Sequence, residues 1–494
     1  MDYIHFHARL HPDRVAVSDL TFDREWTYRQ FDRLVAGCVS VLLDQGIGEG
    51  DRVACVSLNR AELIVLHLAC ARLGALFVPL NWRLSTMELE ALVLDCEPKL
   101  IYGDGQSAKL STEVRKIGHL VEESMEAGPV WPEQASPDLP SLMLYTSGTT
   151  GRPKGAMLSE RNLGETAINI SLLCEIDQDS CFLIESPMFH IIGMVTCVRG
   201  PLLVGGRVAV SDRFIPGRTF ARLADPNLKI SHYFCVPQMA RAIREADGFD
   251  ASGLGGLKAL FTGGAPHPET QIRDWLADGI AVVDGFGMSE TGTVFGMPLD
   301  KRMIDRKAGS VGIRTPRIQA RLVDGEGNLV PPGEPGELEL KGDNVTLGYW
   351  RREEEFRQSL TDDGWFRTGD ILTCDKDGYY RVTDRKKDMY ISGGENVYPV
   401  EVEAALDKFP GVRELAVIGV PDEKWGEVGC LFYVPATEEV SLRDVEEYLT
   451  ARLARYKIPK LIRAVEALPR TGVGKLMRHE LRALYRSEAG APQD

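Results

Sequence analysis

The first half of the sequence alternates between helical and strand-like segments, and this alternation restricts the possible folds more than any other feature. The stretch TYRQFDRLVAGCVSVLLDQG repeats apolar residues at helical spacing and stops at Gly46, and AELIVLHLACARLG shows the same spacing. The short β-branched runs DRVACVSL and ALFVPL stand between and after these helices. Strands that alternate with helices favour a largely parallel sheet that is covered by helices.

The alternation resumes in the middle of the chain, where successive apolar runs each end in Gly, Pro or Asp. These runs are RVAVSD, KISHYFCVP, KALFTGG and IAVVDGFG. Ligands of open parallel sheets bind at the carboxyl ends of the strands. We therefore expect the functional residues to lie where these runs end.

From about Ala320 the pattern changes to hairpins, which predicts a small antiparallel β unit in ARLVDGEGNLVPPGEPGELELKG and DGWFRTGDILTCDKDGYYRVTD. After the charged DRKKD a fresh α+β pattern begins, with helices in PVEVEAALDKF and SLRDVEEYLTARLARY and strands in ELAVIGV and CLFYVP. The predicted fold class is α/β. A large N-terminal domain (1–386) holds helix-covered, mostly parallel sheets and the small β unit, and a smaller α+β C-terminal domain (387–494) follows.

The composition is that of a globular protein and excludes several classes of function. The 494 residues carry 57 basic and 72 acidic side chains, a formal charge of −15, which argues against a nucleic-acid partner. Ten cysteines without a CxxC pair or Cys/His cluster predict reduced, buried thiols. The N-terminus lacks signal-peptide features, and no apolar run reaches the ~18 to 20 residues of a membrane span. We expect a soluble, cytoplasmic monomer or homodimer.

The stretch YTSGTTGRPKGAMLS, residues 145–159, concentrates hydroxyls, glycines and one lysine. It is not a Walker A loop, in which the lysine directly follows a glycine, because Lys154 follows Pro153. It also lacks the GxGxxG spacing of a dinucleotide site. Its small residues, hydroxyl donors and lysine suit phosphate binding, although a surface linker stays open on composition alone.

Five further motifs follow this stretch in order: TGGAP (262–266), DGFGMSE (284–290), WFRTGD (365–370), DRKKDMYISGGENVYPVEVE (384–403) and PRTGVGKLMR (469–478). Together they resemble the motifs of the adenylate-forming superfamily, which comprises acyl- and aryl-CoA synthetases, nonribosomal-peptide adenylation domains and firefly-type luciferases. The resemblance extends over essentially the whole chain and is greatest to an acyl- or aryl-CoA synthetase. It implies that a carboxylate attacks the α-phosphorus of ATP with Mg²⁺ present, releasing pyrophosphate, and that the thiol of CoA then displaces AMP.

The resemblance implies an ATP site that is built from residues 145–159 and three of the later motifs. It assigns the β- and γ-phosphates to the loop and Lys154, the α-phosphate to Ser289, and the ribose to Asp370 and Arg385. Residues 264–266 and 284–286 are implied to line the adenine slot. The implied ATP-binding residues are Thr146, Ser147, Gly148, Thr149, Thr150, Lys154, Gly264, Ala265, Pro266, Asp284, Gly285, Phe286, Ser289, Asp370 and Arg385.

Three residues are implied to be catalytic. By resemblance, the ammonium of Lys475 reaches the attacking carboxylate and the α-phosphate, where positive charge stabilises the transition state. Glu290 is the implied Mg²⁺ ligand together with Thr146; read alone, Glu290 also fits a helix N-terminus. His190 read alone is a core or boundary histidine, but the resemblance places it beside the acyl pocket. There we favour a pocket wall or gate over a general base.

Because Lys475 is needed only for adenylation, the resemblance implies a mobile C-terminal domain that rotates between the two half-reactions. Lys387 matches the hinge position, where a few residues absorb the change in φ and ψ. After rotation, Gly393 and Gly394 would form the wall of a tunnel for the pantetheine arm of CoA. Read without the resemblance, DRKK is a solvated turn.

The implied acyl pocket is largely apolar and predicts an apolar acyl or aryl acid, without separating a medium-chain fatty acid from a benzoate- or cinnamate-type acid. Its implied residues are Phe189, His190, Met194, Phe234, Gly287, Met288 and residues 291–297.

The predicted function is therefore an ATP-dependent carboxylic acid–CoA ligase. The first alternative is an acyl-adenylate-forming ligase that loads the phosphopantetheine of a carrier protein. Amino-acid adenylation is disfavoured because the region around PMFH does not supply the acidic residue that such domains typically use for an α-amino group. A luciferase-like oxidase and a non-catalytic nucleotide sensor also stay open, although a sensor has little reason to keep Lys154, Glu290, Asp370, Arg385 and Lys475.

Three positions depart from the family pattern. Phe286 stands where a tyrosine is more frequent, and Ser289 stands where a threonine is more frequent; both still suit ATP binding. Arg317 stands where relatives often have glycine, and the sequence suggests no function for it.

Overall fold

The computed structural model describes residues 2–146, 153–264, 267, 269–385, 389–397, 399–406, 409–436, 440–469 and 478–488. The chain forms two compact units. The first comprises Met1–Trp82, Val93–Thr146 and Gly155–Asp384, and the second comprises Arg83–Leu92, Ser147–Lys154 and Arg385–Asp494. The domain boundary between residues 386 and 387 lies outside the described residues and stays a prediction.

Within the described residues, both units contain helices. In chain order they are α1 (Tyr3–Leu10), α2 (Tyr28–Asp44), α3 (Ala61–Leu73), α4 (Thr86–Cys96), α5 (Leu120–Glu126), α6 (Glu160–Leu173), α7 (Cys197–Leu203), α8 (Pro216–Ala224), α9 (Pro237–Arg244), α10 (Glu269–Ala277), α11 (Lys301–Arg306), α12 (Glu353–Gln358), α13 (Pro399–Ala405), α14 (Leu442–Thr450) and α15 (Arg478–Glu488). Short 3₁₀ segments are Gly105–Lys109, Ile117–His119, Ala251–Leu254 and Arg455–Lys457, and Ile192–Thr196 is a π-helical turn.

The strands of the described residues belong to four sheets. In chain order they are β1 (Val15–Asp19), β2 (Arg24–Thr27), β3 (Arg52–Val56), β4 (Leu76–Pro79), β5 (Leu100–Gly103), β6 (Arg115–Lys116), β7 (Pro140–Thr146), β8 (Lys154–Ser159), β9 (Cys181–Ile184), β10 (Arg207–Val210), β11 (His232–Cys235), β12 (Ala259–Thr262), β13 (Val282–Met288), β14 (Gly292–Gly296), β15 (Ile313–Arg314), β16 (Gln319–Val323), β17 (Gly336–Lys341), β18 (Gly348–Tyr349), β19 (Phe366–Cys374), β20 (Tyr380–Arg385), β21 (Tyr390–Ser392), β22 (Glu395–Val397), β23 (Val412–Asp422), β24 (Gly426–Pro435) and β25 (Leu461–Ala464).

Two large sheets with parallel centres confirm the predicted α/β class. The nine-stranded sheet has the order β15-β14-β13-β12-β11-β9-β10-β1-β2, and its strands from β13 to β1 pair in parallel. The seven-stranded sheet has the order β18-β8-β7-β4-β3-β5-β6. The four-stranded sheet β16-β17-β19-β20 is the small β unit that the hairpin pattern predicted.

Local capping signals mark the ends of two early helices. Thr27 and Gln30 form a reciprocal capping box at the start of α2, which satisfies two otherwise unpaired backbone N–H groups. Helix α3 ends at Gly74, whose φ of +68° suits glycine because no Cβ obstructs the left-handed conformation.

A buried charge network lies inside the apolar core of the first unit. The guanidinium of Arg199 donates to both carboxylate oxygens of Glu160 at 2.9 and 2.7 Å and lies 3.0 Å from Nε2 of His67. Burial, the largest single influence, raises the pKa of Glu160, but the charge of Arg199 and the hydrogen bonds that it donates, together with other positive groups, outweigh burial and lower that pKa to about 2. Burial, reinforced by Arg199, lowers the pKa of His67 to about 3, so this imidazole is neutral.

In the second unit, a five-stranded sheet carries helices on both faces. Strands β23 and β24 pair antiparallel, and alternate residues of β23 face opposite sides. Val417 packs in the cluster that holds Leu449 of α14, whereas Ile418 packs in the cluster that holds Leu481 of α15. Arg83–Leu92 also belongs to this unit, and the ammonium of Lys457 lies between carboxylates of Glu88 and Glu401, at 2.8 and 2.7 Å.

The prediction of one helix from Ser441 to Tyr456 is wrong in its second half. Helix α14 ends at Thr450, and a turn leads into the 3₁₀ segment Arg455–Lys457. The turn buries Leu453 and Ile458 in the core of the unit. Tertiary packing therefore overrides the helical pattern at this point.

Arg317 has a structural role that the sequence did not suggest. Its guanidinium pairs with the carboxylate of Glu165 on α6, with one N–O distance of 2.8 Å.

Across the ranges that the structure describes, no helix has both the length and the apolar character needed to cross a membrane.

Candidate active site

Three neighbouring parallel strands, β11, β12 and β13, bring predicted site residues together at their carboxyl ends. Cys235 pairs in register with Thr262, and Thr262 pairs with Asp284. Phe234 is the penultimate residue of β11, and Gly264 follows β12 by two residues. The strand ends that the sequence singled out therefore lie side by side at one edge of the sheet.

Glycines at this edge allow the backbone segments to approach each other closely. A Cβ atom on Gly263 would lie 3.1 Å from the carbonyl oxygen of Gly285 and 3.3 Å from the ring of Phe234. Gly264 has a φ of +80°, in the region that favours glycine. A side chain at Gly263 would press against the strand ends that carry the predicted adenine and acyl residues, whereas a side chain at Gly264 would strain the backbone.

Asp284 is fully buried and is held by a short chain of polar groups. The hydroxyl of Thr262 donates to Oδ1 of Asp284 at 2.9 Å and lies 3.0 Å from Nδ1 of His267. Burial raises the pKa of Asp284 to about 7, although the bonds from Thr262 and from the N–H of Gly285 oppose the shift. Burial also lowers the pKa of His267 to about 4. The sequence analysis placed Thr262 in the TGGAP motif without a role, and it missed His267, because isolated polar residues produce no periodic sequence signal.

We expect Asp284→Asn to stabilise the nucleotide-free protein at pH 8 and to have little effect at pH 4. A carboxyl group whose pKa is raised on folding lowers stability as the pH rises from its unfolded value, ~3.9, to its folded value of about 7. Asparagine keeps the shape and removes the charge. In thermal unfolding, the difference in Tm between variant and wild type should widen from pH 4 to pH 7 and then level off. A difference that does not change with pH would contradict a buried, proton-binding Asp284.

Glu290 lies in the tight turn between β13 and β14, directly after Ser289. Its side chain is buried, and the hydroxyl of Tyr349 donates to its Oε1 at 3.0 Å. The backbone N–H of Thr346 donates to the carbonyl of Glu290 at 2.6 Å. The alternative of a helix N-terminus is therefore wrong, because Glu290 belongs to a β-hairpin. Tyr349 was missed because it stands 59 residues further along the chain.

The segment SPMFHIIGM, residues 186–194, runs into the π-helical turn Ile192–Thr196, which leads directly into α7. Gly193 has no alternative there, because a Cβ atom would overlap the carbonyl oxygen of Pro187. Turns of this kind are frequent at functional sites, where they change the direction of neighbouring side chains. Here the turn begins two residues after His190.

The predicted acyl-pocket residues divide into buried and accessible positions. Met194 and Phe234 belong to one buried apolar cluster. The ring of Phe189 lies 4.6 Å from the ring of His190, and His190 is half-buried. At the end of β13, Gly287 is exposed and Met288 is half-buried.

The stretch that the sequence predicts to bind phosphate connects β7 and β8, which are neighbouring strands of the seven-stranded sheet. Thr146 is the last residue of β7 and Lys154 is the first residue of β8. Several predicted residues fall outside the described part of the chain, and their roles stay predictions: Ser147, Gly148, Thr149, Thr150, Ala265, Pro266, Lys387 and Lys475.

Asp370 lies inside β19 rather than in the turn that is typical of an isolated Thr-Gly-Asp. The neighbouring Gly369 has a φ of +74°, and the ladder between β17 and β19 shifts register nearby. The N–H of Asp370 donates to the hydroxyl of Thr368 at 3.1 Å. An irregularity of this kind changes the direction of side chains on a strand. Arg385 ends β20 in the same sheet.

In the second unit, the predicted CoA-wall glycines form the turn between β21 and β22. Gly393 and Gly394 have φ values of +59° and +84°, and the N–H of Gly393 donates to the carbonyl of Trp425 at 2.9 Å. A Cβ atom on Gly393 would lie 2.9 Å from the indole of Trp425. The backbone thus requires glycine here, and contact with CoA stays a prediction.

Comparison with known families identifies the class of protein. Residues 4–350 match the AMP-binding enzyme family and residues 401–475 match the AMP-binding enzyme C-terminal domain. The chain therefore belongs to the AMP-binding enzyme family, which confirms the resemblance that the motifs indicated.

Individual relatives narrow the class. A feruloyl-CoA synthase from Amycolatopsis sp. is 38% identical over 467 residues, covering 93% of this chain and 94% of its own. The long-chain-fatty-acid–CoA ligase FadD13 of Mycobacterium tuberculosis is 34% identical over 496 residues, covering 97% of each chain. The solved o-succinylbenzoate CoA synthetase of Bacillus subtilis, bound with a product analogue, has a TM-score of 0.88 at 28% identity, covering 97% of this chain and 98% of its own. The protein is an AMP-forming carboxylic acid–CoA ligase that uses ATP, Mg²⁺ and CoA, and the carrier-protein alternative is not favoured.

Proposed function

We propose that this ligase activates an aromatic carboxylic acid, which it binds at the carboxyl ends of β11, β12 and β13. The ring of Phe234 against Gly263 carries this proposal, because it sets a flat apolar surface beside the strand of Asp284 and Phe286. Phe189 adds a second buried ring. The feruloyl- and o-succinylbenzoyl-forming relatives act on aromatic acids, which supports the same class.

In the proposed first half-reaction, the strand ends orient ATP and the acid for attack. The backbone around Gly264 and Gly285 and the ring of Phe286 line the adenine slot, and the carboxylate of Asp370 accepts from the ribose hydroxyls. Ser289 contacts the α-phosphate, while Lys154 neutralises charge on the departing pyrophosphate. His190 forms a wall or gate of the acyl pocket and moves no proton.

The residues present fit a bound Mg²⁺ ion. Glu290 offers a buried carboxylate whose orientation is held by a hydrogen bond, and Thr146 offers a hydroxyl at the end of β7. Mg²⁺ prefers oxygen ligands and is usually bound by one or two carboxylates together with substrate phosphates. When bound with ATP, the ion neutralises charge on the phosphates.

In the proposed second half-reaction, residues 387–494 rotate about Lys387, so that Lys475 leaves the site and Gly393 and Gly394 line the path of CoA. The opposing demands of the two steps support this proposal, because a lysine that stabilises attack on the α-phosphorus has no role once AMP must depart.

We expect ferulate to be used more efficiently than a medium-chain fatty acid, because a planar ring fits against Phe234 better than a flexible chain. Pyrophosphate release and thioester formation should be measured with ferulate, 2-succinylbenzoate and decanoate, each with and without CoA. The expected preference in kcat/KM for an aromatic acid is about tenfold or more, the scale of pocket discrimination. A higher kcat/KM with decanoate would contradict the proposal and would indicate a fatty-acid ligase instead.

A pocket variant tests the same proposal. Phe234→Ala should raise KM for the aromatic acid and leave KM for ATP nearly unchanged. Phe6→Ala is the matched control, since Phe6 is exposed on α1. If Phe234→Ala raised KM equally for the acid and for ATP, Phe234 would not belong to the acid site.

The location and assembly of the enzyme are also proposals: a cytoplasmic monomer or homodimer without a nucleic-acid partner. The net charge of −15 and ten cysteines that form no disulfide, all within the described residues, support them. Sedimentation analysis of the purified chain tests the oligomeric state.

A further inference from the structure

Residues 343–350, which we call the bridge segment, form hydrogen bonds to the turn that contains Glu290. The N–H of Thr346 donates to the carbonyl of Glu290 at 2.6 Å, and the side-chain amide of Asn344 donates to the carbonyl of Thr291 at 2.7 Å. Asn344 and Thr291 are both fully buried. The backbone of the turn is therefore fixed by a segment that is distant in sequence.

The same bridge segment is bonded to strand β8. The N–H of Leu347 donates to the carbonyl of Met157 at 3.0 Å, and the N–H of Trp350 donates to the carbonyl of Gly155 at 2.8 Å. Between them, β18 pairs antiparallel with β8. The bridge segment thus ties the turn of Glu290 to the strand that follows the phosphate-binding stretch.

Tyr349 extends this connection to the side chain of Glu290. Its hydroxyl donates to Oε1 of Glu290 at 3.0 Å, and both residues are less than a tenth exposed. The ring is itself held by a T-shaped contact with Phe356, at 5.9 Å between centroids. A carboxylate only accepts hydrogen bonds, so the phenol donates and fixes the orientation of one carboxylate oxygen.

We propose that Tyr349 is a positioning residue that orients the carboxylate of Glu290 for the Mg²⁺ ion that accompanies ATP. This inference rests on the proposed role of Glu290 as a metal ligand. Mg²⁺ demands near-ideal octahedral geometry, so a carboxylate that rotates freely binds it poorly. Groups that orient metal ligands typically contribute 10- to 100-fold to metal affinity or activity.

The variant Tyr349→Phe removes the hydroxyl and keeps the ring. The full-length protein, saturated with the non-hydrolysable analogue α,β-methylene-ATP, is titrated with Mn²⁺, and free Mn²⁺ is followed by electron paramagnetic resonance. We expect the Kd for Mn²⁺ to rise by roughly 10- to 100-fold. The Mg²⁺ concentration for half-maximal pyrophosphate release should rise in parallel, with kcat largely recovered at saturating Mg²⁺.

Tyr28→Phe is the matched control, because the buried Tyr28 also donates a hydrogen bond, to the carbonyl of Gly206 at 2.7 Å. It should change thermal stability without changing the affinity for Mn²⁺. If Tyr349→Phe likewise changes only stability, Tyr349 has a structural role and the inference is overturned.

Glu290→Gln separates this inference from the proposed function. If Glu290→Gln leaves the affinity for Mn²⁺ unchanged, Glu290 is not a ligand, and both the proposed role and the inference are overturned. If Glu290→Gln weakens binding and Tyr349→Phe does not, only the inference is overturned. Weaker binding in both variants, with Tyr28→Phe unaffected, supports it.

Discussion

Lys475→Ala should lower the rate of adenylation by ~10² to 10³ and leave the thioester-forming step within a few-fold of wild type. A charge that contacts only the first transition state affects only the first half-reaction. ATP–pyrophosphate exchange with the acid measures the first step. Thioester formation from supplied acyl-adenylate and CoA measures the second.

The control for this experiment is Lys460→Ala, since Lys460 is a half-exposed lysine of the second unit that pairs with Glu446 at 3.4 Å. Both half-reactions should persist in the control. If Lys475→Ala reduces the two half-reactions equally, Lys475 is not dedicated to adenylation, and the reason for domain rotation is removed with it.

Arg199→Met should destabilise the core of the first unit by about 3–5 kcal/mol, because it leaves the buried carboxylate of Glu160 without its partner. His67 does not replace the lost charge, since burial keeps it neutral. Native-state hydrogen exchange of α6 and α7 reports the free energy of opening at this place without assuming that both units unfold together.

The double variant Arg199→Met/Glu160→Gln should recover part of the lost stability, because no uncompensated charge remains buried. Arg357→Met is the surface control: Arg357 pairs with Glu354 on exposed α12, and exposed pairs contribute little. If the double variant is no more stable than Arg199→Met, lost packing rather than an unpaired charge explains the effect.

Much of the fold was predictable because hydrophobic periodicity is a local property. The spacing in α2 and α3, the runs that became β10 to β13, and the hairpins of β16, β17, β19 and β20 each carry their signal within about twenty residues. The prediction was wrong where tertiary packing, rather than the local pattern, sets the end of a helix. Helix α14 stops at Thr450 because Leu453 and Ile458 are buried beyond it.

The candidate site divides in the same way. Its motifs were recognisable in order, and the parallel strands bring two of them, TGGAP and DGFGMSE, together beside the end of β11, because carboxyl ends of parallel strands meet at one edge. Their surroundings were not predictable. The polar chain from His267 through Thr262 to Asp284 depends on two strands being adjacent and in register.

By itself, the sequence determined the α/β class, the family and the residues to consider for each substrate, because periodicity and short motifs are contained in contiguous stretches. Only the tertiary structure decided that Glu290 lies in a hairpin turn, that Tyr349 holds its carboxylate, and that burial raises the pKa of Asp284. The physical reason is common to all three. Burial and hydrogen-bond partners depend on which distant segments the strand register brings together, and no local pattern encodes that register.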